Sequence, residues 1–429
     1  MINLAKYRVP IFFFIFILVL TGTFAAVKFA QGYRLDLTDK RLKPTGLLVA
    51  TSTPKGAQVL VDGKLKTATD NTLALEPGEY QVEIRKSGYT SWQKKLLVEK
   101  ELVTSAEAYL FPLVPDLKPL TVSGAVNPQI SPDGTKIVYG IPETATKSAD
   151  LTEEAGLWVM DLTDFLFFNR APRQIVKSGV HDFAAANYSW SDDSRQILVE
   201  FKTGEKYLLD PNQLNSSLVN VATSINEIRQ AWMTEEKTQE EAKLKKVPEV
   251  LRQILAEKAA QVEFSPDGTK VLYLATASAT IPEKLIPPVL AASNQLEARN
   301  LEAGKIYVYD LKEDKNFLIP YDGPINFTSP TPTPVKKGRI ATPTPSPASS
   351  EIKNSSPKSV VWFPTSRHLF WISGDKVMIC EYDGTNLIPL YTGPFIKPYV
   401  FAAPNASRLI VLTNLSAEEK PNLYSVSLK

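Results

Sequence analysis

The sequence predicts a mostly-β protein in three parts: an apolar helix able to cross a membrane, a small β-sandwich, and a larger array of repeated β-sheets carrying an inserted helical hairpin. Three observations lead there. Residues 9–27 carry no charge. Between 45 and 115, short β-rich runs alternate with turn signals at regular spacing. From 118 to 429 a strand–turn–strand unit built around Ser-Pro-Asp-Gly returns five times, and internal repetition of that kind decides architecture.

Composition sets the bounds. At about 150 residues per domain, 429 residues suggest about three domains. With 44% hydrophobic and 22% charged residues the chain is globular in character. Lys+Arg 48 minus Asp+Glu 46 leaves +2, which excludes a chain whose whole surface is a nucleic-acid footprint, so no nucleic-acid partner is expected. One cysteine, Cys380, excludes an internal disulfide framework and a Cys-built zinc site. Two histidines, His181 and His368, leave little material for acid–base or metal chemistry. Proline (32) exceeds glycine (20), which points to many loops and at least one stiff linker.

Residues 1–44 read as a cytoplasmic tip, a transmembrane anchor and a juxtamembrane linker. The run VPIFFFIFILVLTGTFAAV at 9–27 spans roughly 28 Å as a helix, close to the hydrocarbon core of a bilayer. Lys6 and Arg8 precede it, as expected for a cytoplasmic N-terminus, while Lys28, Arg34, Lys40, Arg41 and Lys43 follow and compete. The other reading is a cleaved signal peptide, with Thr23 and Ala25 as the small residues before the cut. Both put the bulk of the chain outside the cytoplasm: a single-pass protein of the cell membrane if the segment stays. No lipobox cysteine is present.

Residues 45–115 read as a sandwich of short strands: LLVATS, AQVLVD, TLALE, YQVEIRK and SWQKKLLVEK. Pro54-Lys55-Gly56-Ala57, Asp62-Gly63 and Pro77-Gly78 supply the turns. Asp62-Gly63 suits a two-residue hairpin, because its central residues need positive φ. The alternation Gln81-Val82-Glu83-Ile84-Arg85 gives one dry and one wet face. These residues resemble the PEGA family, named for a Pro-x-Gly-Ala turn, here PKGA at 54–57. Val61-Asp62-Gly63-Lys64, Pro77-Gly78-Glu79-Tyr80, Lys86-Ser87-Gly88-Tyr89 and Trp92 follow in the family's order. The resemblance implies a compact extracytoplasmic β-sandwich with no catalytic set. The stretch LKTATDN, 65–71, departs from the family's Gly and Thr-Pro pattern.

Residues 118–429 carry the repeats. NPQISPDGTKIVYG (127–140), YSWSDDSRQILVEF (188–201) and VEFSPDGTKVLYLA (262–275) align directly. VVWFPTSRHLFWIS (360–373) and YVFAAPNASRLIVLT (399–413) are weaker copies. Each is followed by a further strand: GLWVMDL, GEKYLLD, GKIYVYDL, DKVMICEYDG and NLYSVSLK. A single sheet cannot bury both its faces, so such units stack around an axis as a β-propeller of five or six blades. The segment near 118–126 is expected to close the ring against the C-terminal strand. The Ser-Pro-Asp-Gly-Thr-Lys hexapeptides at 131–136 and 265–270 resemble the WD-repeat-like blades of the TolB-like group.

The spacing requires insertions. Ser131 to Ser191 is 60 residues, Ser191 to Ser265 is 74 and Ser265 to Pro364 is 99, against roughly 40–45 for a simple blade. Residues about 220–260 read as a helical hairpin projecting from or packed against the propeller, with Ile225, Ile228 and Trp232 on one stripe and Val250, Leu251, Ile254 and Leu255 on another. The hairpin is either a decoration whose stripe packs on its own partner helix or a docking arm for another envelope protein. Residues 329–358, rich in Pro, Thr and Ser, read as an extended disordered loop with a basic knot at Lys336, Lys337 and Arg339. Residues 276–300 read as a loop or short helix.

No catalytic constellation emerges: no Gly-x-Ser-x-Gly elbow, no phosphate-binding glycine loop and no His-Glu-x-x-His. Asp133, Asp267, Asp192 and Asp193 invite a calcium or carboxylate reading, but they sit where turns want Asx chemistry. Cys380 in VMIC reads as a buried thiol, and His368 in RHLFWIS as a strand residue. No catalytic, cofactor or metal residues are assigned, and the chain is expected to be no enzyme. The combined resemblance implies a bacterial envelope protein that binds a protein, peptide or glycan on its propeller face. The alternatives are a propeller hydrolase of envelope glycans, which needs only two carboxylates, and a purely structural assembly protein.

Overall fold

A computed structural model describes residues 8–30, 34–36, 41–143, 155–163, 171–179, 181–290, 292–324, 359–415 and 420–429, with side chains from 10–28 and from 44 onward. The Pro/Thr/Ser-rich segment 329–358, with Lys336, Lys337 and Arg339, lies outside the described residues.

Helix α1, Arg8–Ala30, is a 23-residue rod. Its Pro10–Lys28 stretch has a mean hydropathy of 2.4 and buries nothing, so it is long and apolar enough to cross a membrane. A signal sequence shares these properties. The remaining chain forms two compact units: one runs up to Leu113 and includes Pro288–Leu296, the other comprises Val114–Pro287 and Glu297–Lys429.

The first unit packs a three-stranded sheet against a four-stranded one. Gly46–Thr53 lies between Asn71–Leu75, antiparallel, and Val103–Tyr109, parallel. The second sheet runs Lys64–Ala68, Gln58–Val61, Gly78–Arg85, Trp92–Val98. Alternation places Leu48, Ala50, Val59, Val61, Val82, Ile84, Trp92 and Leu96 in one core. Asp62 and Gly63 take φ of 49° and 73°, the left-handed pair that a tight hairpin demands. The departing stretch 65–71 turns out to close the PKGA turn. The Ala57 N–H donates to Thr69 Oγ1 at 2.9 Å, and Lys55 Nζ meets Asp70 Oδ2 at 3.0 Å. Within the same unit, Gln295 Nε2 donates to the Lys95 carbonyl.

Among its described residues the second unit forms five propeller blades. Blade 1 runs Val126–Ile130, Lys136–Ile141, Gly156–Asp161, Arg173–Lys177. Blade 2 runs Asn187–Trp190, Ile197–Glu200, Lys206–Leu209, and a lone bridge from Tyr207 to Asn220 stands where a fourth strand would. Blade 3 is Ala259–Phe264, Lys270–Ala275, Ile306–Asp310, Lys315–Leu318, and blade 4 is Val361–Trp362, His368–Ser373, Lys376–Glu381, Ile388–Tyr391. Blade 5 is Val400–Ala402, Arg408–Thr413 and Asn422–Ser427, completed on its outer edge by Leu117–Pro119 from the start of the unit. That pairing joins the start of the unit to its last blade.

Strand alternation gives every blade a backward face, toward the preceding blade, and a forward face. Val138, Leu157 and Val159 of blade 1 share a core with Tyr188, Trp190, Ile197, Val199, Tyr207 and Leu209 of blade 2. Leu272, Leu274, Ile306 and Val308 of blade 3 meet Trp362, Leu369, Trp371 and Cys380 of blade 4. Ile137, Tyr139 and Met160 of blade 1 pack on Ile410, Leu412 and Leu423 of blade 5. Gly140 is required at the first of these seams, because a Cβ there would lie 2.7 Å from the Ala184 Cα.

The insertion forms helices α2, Ile225–Leu244, and α3, Glu249–Lys258. Its apolar stripes do not zip on each other. Leu251 and Leu255 of α3 join the core of blade 3 with Val271, Tyr273, Tyr307 and Tyr309. In α2, Ile225 is buried and Ile228 and Trp232 are half-buried, but from Met233 to Lys243 every residue is exposed. Residues 276–300 carry a two-residue strand pair, Ala279–Thr280 with Asn300–Leu301, fastened by Arg299 to Glu297 and Asp314.

Candidate functional site

In each blade a turn joins the first strand to the second, and the shared up-and-down order places all five turns on one face of the ring. Their chemistry repeats. Ser131 Oγ donates to Asp133 Oδ1 at 2.5 Å, and the Thr135 N–H and Oγ1 donate to the same carboxylate at 3.0 and 2.8 Å. The Lys136 N–H donates back to Ser131 Oγ at 2.9 Å, and Gly134 takes φ +71°. Ser265, Asp267, Thr269 and Lys270 repeat this set. Ser191, Asp193, Arg195 and Gln196 do so with Ser194, at φ +60°, in the glycine position. Burial by itself would raise these carboxyls. The hydrogen bonds outweigh it and hold Asp133, Asp193 and Asp267 below the usual carboxylate range, with Lys136, Arg195 and Lys270 adding positive charge.

Asp192 behaves in the opposite sense. Burial raises its pKa, and Glu236, Glu235, Asp193 and Glu240 add like charge. Helix α2 therefore brings an acidic stripe to the turn face beside blade 2. The root of α2 is held elsewhere: Arg229 Nη2 donates to both Glu200 carboxylate oxygens at 2.8 Å, and Lys206 pairs with the same carboxylate.

The remaining candidates separate. His181 lies among Phe183, Phe201 and Tyr207, with Nδ1 3.6 Å from Glu205 Oε2. His368 is buried in blade 4, its Nδ1 2.9 Å from Thr365 Oγ1. Cys380 is fully buried, and burial pushes its thiol well above the ordinary range. His368 and Cys380 lie on paired strands of blade 4, one register position apart and so on opposite faces of the sheet, while His181 lies beside blade 2. Among the described residues no group of three or more His, Cys, Asp or Glu could hold a metal ion.

Sequence reasoning missed the partner of the turns. The Asp133 N–H donates to Ser194 Oγ of the next blade at 3.1 Å, and Trp190 Nε1 donates to the Gln129 carbonyl at 3.3 Å. Between blades 3 and 4 the same pair recurs: the Asp267 N–H to Ser366 Oγ at 3.0 Å, and Trp362 Nε1 to the Glu263 carbonyl at 3.3 Å. The signal was visible as Trp followed four residues later by Ser, present at 190/194 and 362/366 and absent at the matching positions of the other blades.

Sandwich, ring and turns define a propeller protein with an N-terminal β-module. Residues 45–112 match the PEGA domain family, so the sandwich is a PEGA domain. Several solved structures are similar to the chain. TolB from Acinetobacter baumannii is 12% identical, with 81% of this chain and 60% of that chain covered, at a TM-score of 0.21. The β-propeller domain of the Trilobed protease from Pyrococcus furiosus is 12% identical over 90% of this chain and 96% of its own, at 0.19. The propeller domain of Cps50 (Swd1) from Myceliophteria thermophila is 11% identical over 73% and 100%, at 0.28. No curated protein matches the chain by sequence.

Proposed function

We propose that this is a membrane-anchored, extracytoplasmic binding or scaffolding protein of the bacterial cell envelope. The reading rests on one observation: an apolar helix, a PEGA domain and a propeller follow each other in that order, and the repeated carboxylates of the propeller are consumed by their own turns. Carboxylates held ionised by turn hydrogen bonds are poor general acids, whereas a ring face built from rigid turns is a suitable platform for a protein, peptide or glycan. Helix α1 anchors the chain in this reading, and the ring is displayed beyond it.

The test is site-specific photo-crosslinking in intact cells, with the probe placed at Pro132, Pro266 or Thr238 on the turn side, and at Lys202 on the opposite side. One discrete adduct that depends on the turn-side positions supports the reading. Uniform absence of adducts from every position, with the protein at normal abundance, contradicts it.

A hydrolase acting on envelope glycans is the second reading, favoured by Asp192 alone. A carboxyl with raised pKa among other carboxylates is the arrangement glycoside hydrolysis uses. Asp192→Asn and Glu236→Gln would then abolish release of soluble fragments from purified cell-wall glycan. Equal release from wild type and both variants removes this reading.

A further inference from the structure

Blades 1, 3 and 5 lack the Trp–Ser latch, and the helical insertion sits at one of the seams left without it, between blades 2 and 3. Blades 2 and 4 own the latch and reach back to blades 1 and 3. Blade 3 has Phe264 and Gly268 at the latch positions, so it has neither the indole N–H nor the hydroxyl needed to reach back to blade 2. The forward face of blade 2 is also unlike its counterparts. Glu200 stands where blade 3 has Leu274, and its register partner is Lys206. An apolar blade face would leave that charge pair without hydrogen-bonding partners, at a cost in desolvation.

The insertion supplies what each side lacks. From α2, Arg229 caps Glu200, and the three charged groups are mostly buried, with side-chain exposures of 12% for Glu200, 22% for Arg229 and 23% for Lys206. From α3, Leu251 and Leu255 cover Val271, Tyr273, Tyr307 and Tyr309 on the backward face of blade 3. The chain between them, 245–248, is short. We propose that α2 and α3 form a strap across the blade 2–blade 3 seam and that, in place of the latch, this strap sets the local stability of the strands on both sides. The strap holds blade 2 by a charge cluster and blade 3 by an apolar contact. It closes a seam that the repeat itself leaves open.

Hydrogen exchange read by mass spectrometry on the full chain in detergent micelles tests this. Exchange reports local opening free energies, and one hydrogen bond to a charged group is enough to change opening by roughly ten- to a hundredfold. Arg229→Ala is expected to speed exchange about tenfold or more in the strands facing the seam, 197–200, 206–209, 270–275 and 306–310, and to leave 136–141 and 368–373 unchanged. Leu251→Ala, acting from the other side, is expected to speed the same strands, and Arg229→Lys to fall between wild type and Arg229→Ala. Faster exchange confined to 225–244 would make the insertion a decoration and overturn the proposal. Acceleration spread evenly over all five blades would overturn it as well, because it would show no seam of special weakness. If Leu251→Ala does not fold, the Arg229 pair decides alone.

Discussion

The seam between blades 1 and 2 and the seam between blades 2 and 3 join sheets of the same kind by different means. At the first, a continuous apolar core is stitched by Trp190 and Ser194, residues that belong to the repeat. At the second, the repeat has lost both stitching groups and gained a charge, and a segment foreign to the repeat holds the two sides. The difference teaches that a propeller need not be closed by its blades alone. An insertion can take over a seam, and the blades beside it are then free to drift in sequence: blade 2 has no full fourth strand and carries Glu200 in a core position.

The largest effects are expected where latch and core coincide. Trp362→Ala removes a buried indole together with its bond to the Glu263 carbonyl, and should cost about 3–5 kcal/mol, measured by denaturant titration. A cost below about 1 kcal/mol would erase the distinction between the latched and strapped seams. Leu251→Ala should cost about 2–5 kcal/mol, since its side chain is fully buried against blade 3. Met233→Ala, on the exposed length of α2, should stay within about 0.5 kcal/mol. Equal costs for the two would mean that α3 is no more attached than the tip of α2.

Smaller effects sharpen the comparison. Ser194→Ala and Ser366→Ala should each cost about 0.5–1.5 kcal/mol, and their costs should add, because they act at separate seams. The turns also set a pH signature. Asp133, Asp193 and Asp267 have folded pKa values below the unfolded value near 3.8, so their contribution is fully present above that value and is lost as pH falls from it through the lower folded pKa. Asp192 has a folded pKa above its unfolded value, so its ionised form opposes folding at neutral pH. Asp193→Asn is therefore expected to lower the thermal midpoint at pH 7, and Asp192→Asn to raise it slightly. Shifts of the same sign in these neighbouring residues would contradict the electrostatic account of the turn face.

Much of this was legible in the residues. The Asp62-Gly63 hairpin and the Gly134 and Gly268 turns follow from what positive φ requires. The strand–turn–strand copies were legible because strand periodicity and turn chemistry are local, but they left five or six blades open, and the sheets among the described residues number five. The strap was only half legible. The stripes at Ile225–Trp232 and Val250–Leu255 announced two helices projecting from or packed against the propeller, but periodicity does not say which surface a stripe covers, and only the structure shows the α3 stripe on blade 3. The Arg229–Glu200 pair joins residues far apart in sequence and leaves no pattern, although Glu200 in an otherwise apolar strand was a sign. The acidic surroundings of Asp192 arose the same way, from where α2 runs.

The central functional claim is that the ring is displayed outside the cytoplasm by an anchored chain. Protease treatment of intact cells, with mass spectrometry of the N-terminus of the mature protein, addresses it most directly. The account predicts that the ring is cleaved from outside while Met1 or Ile2 is retained. A ring protected in intact cells and cleaved only after lysis would put it in the cytoplasm and contradict the account.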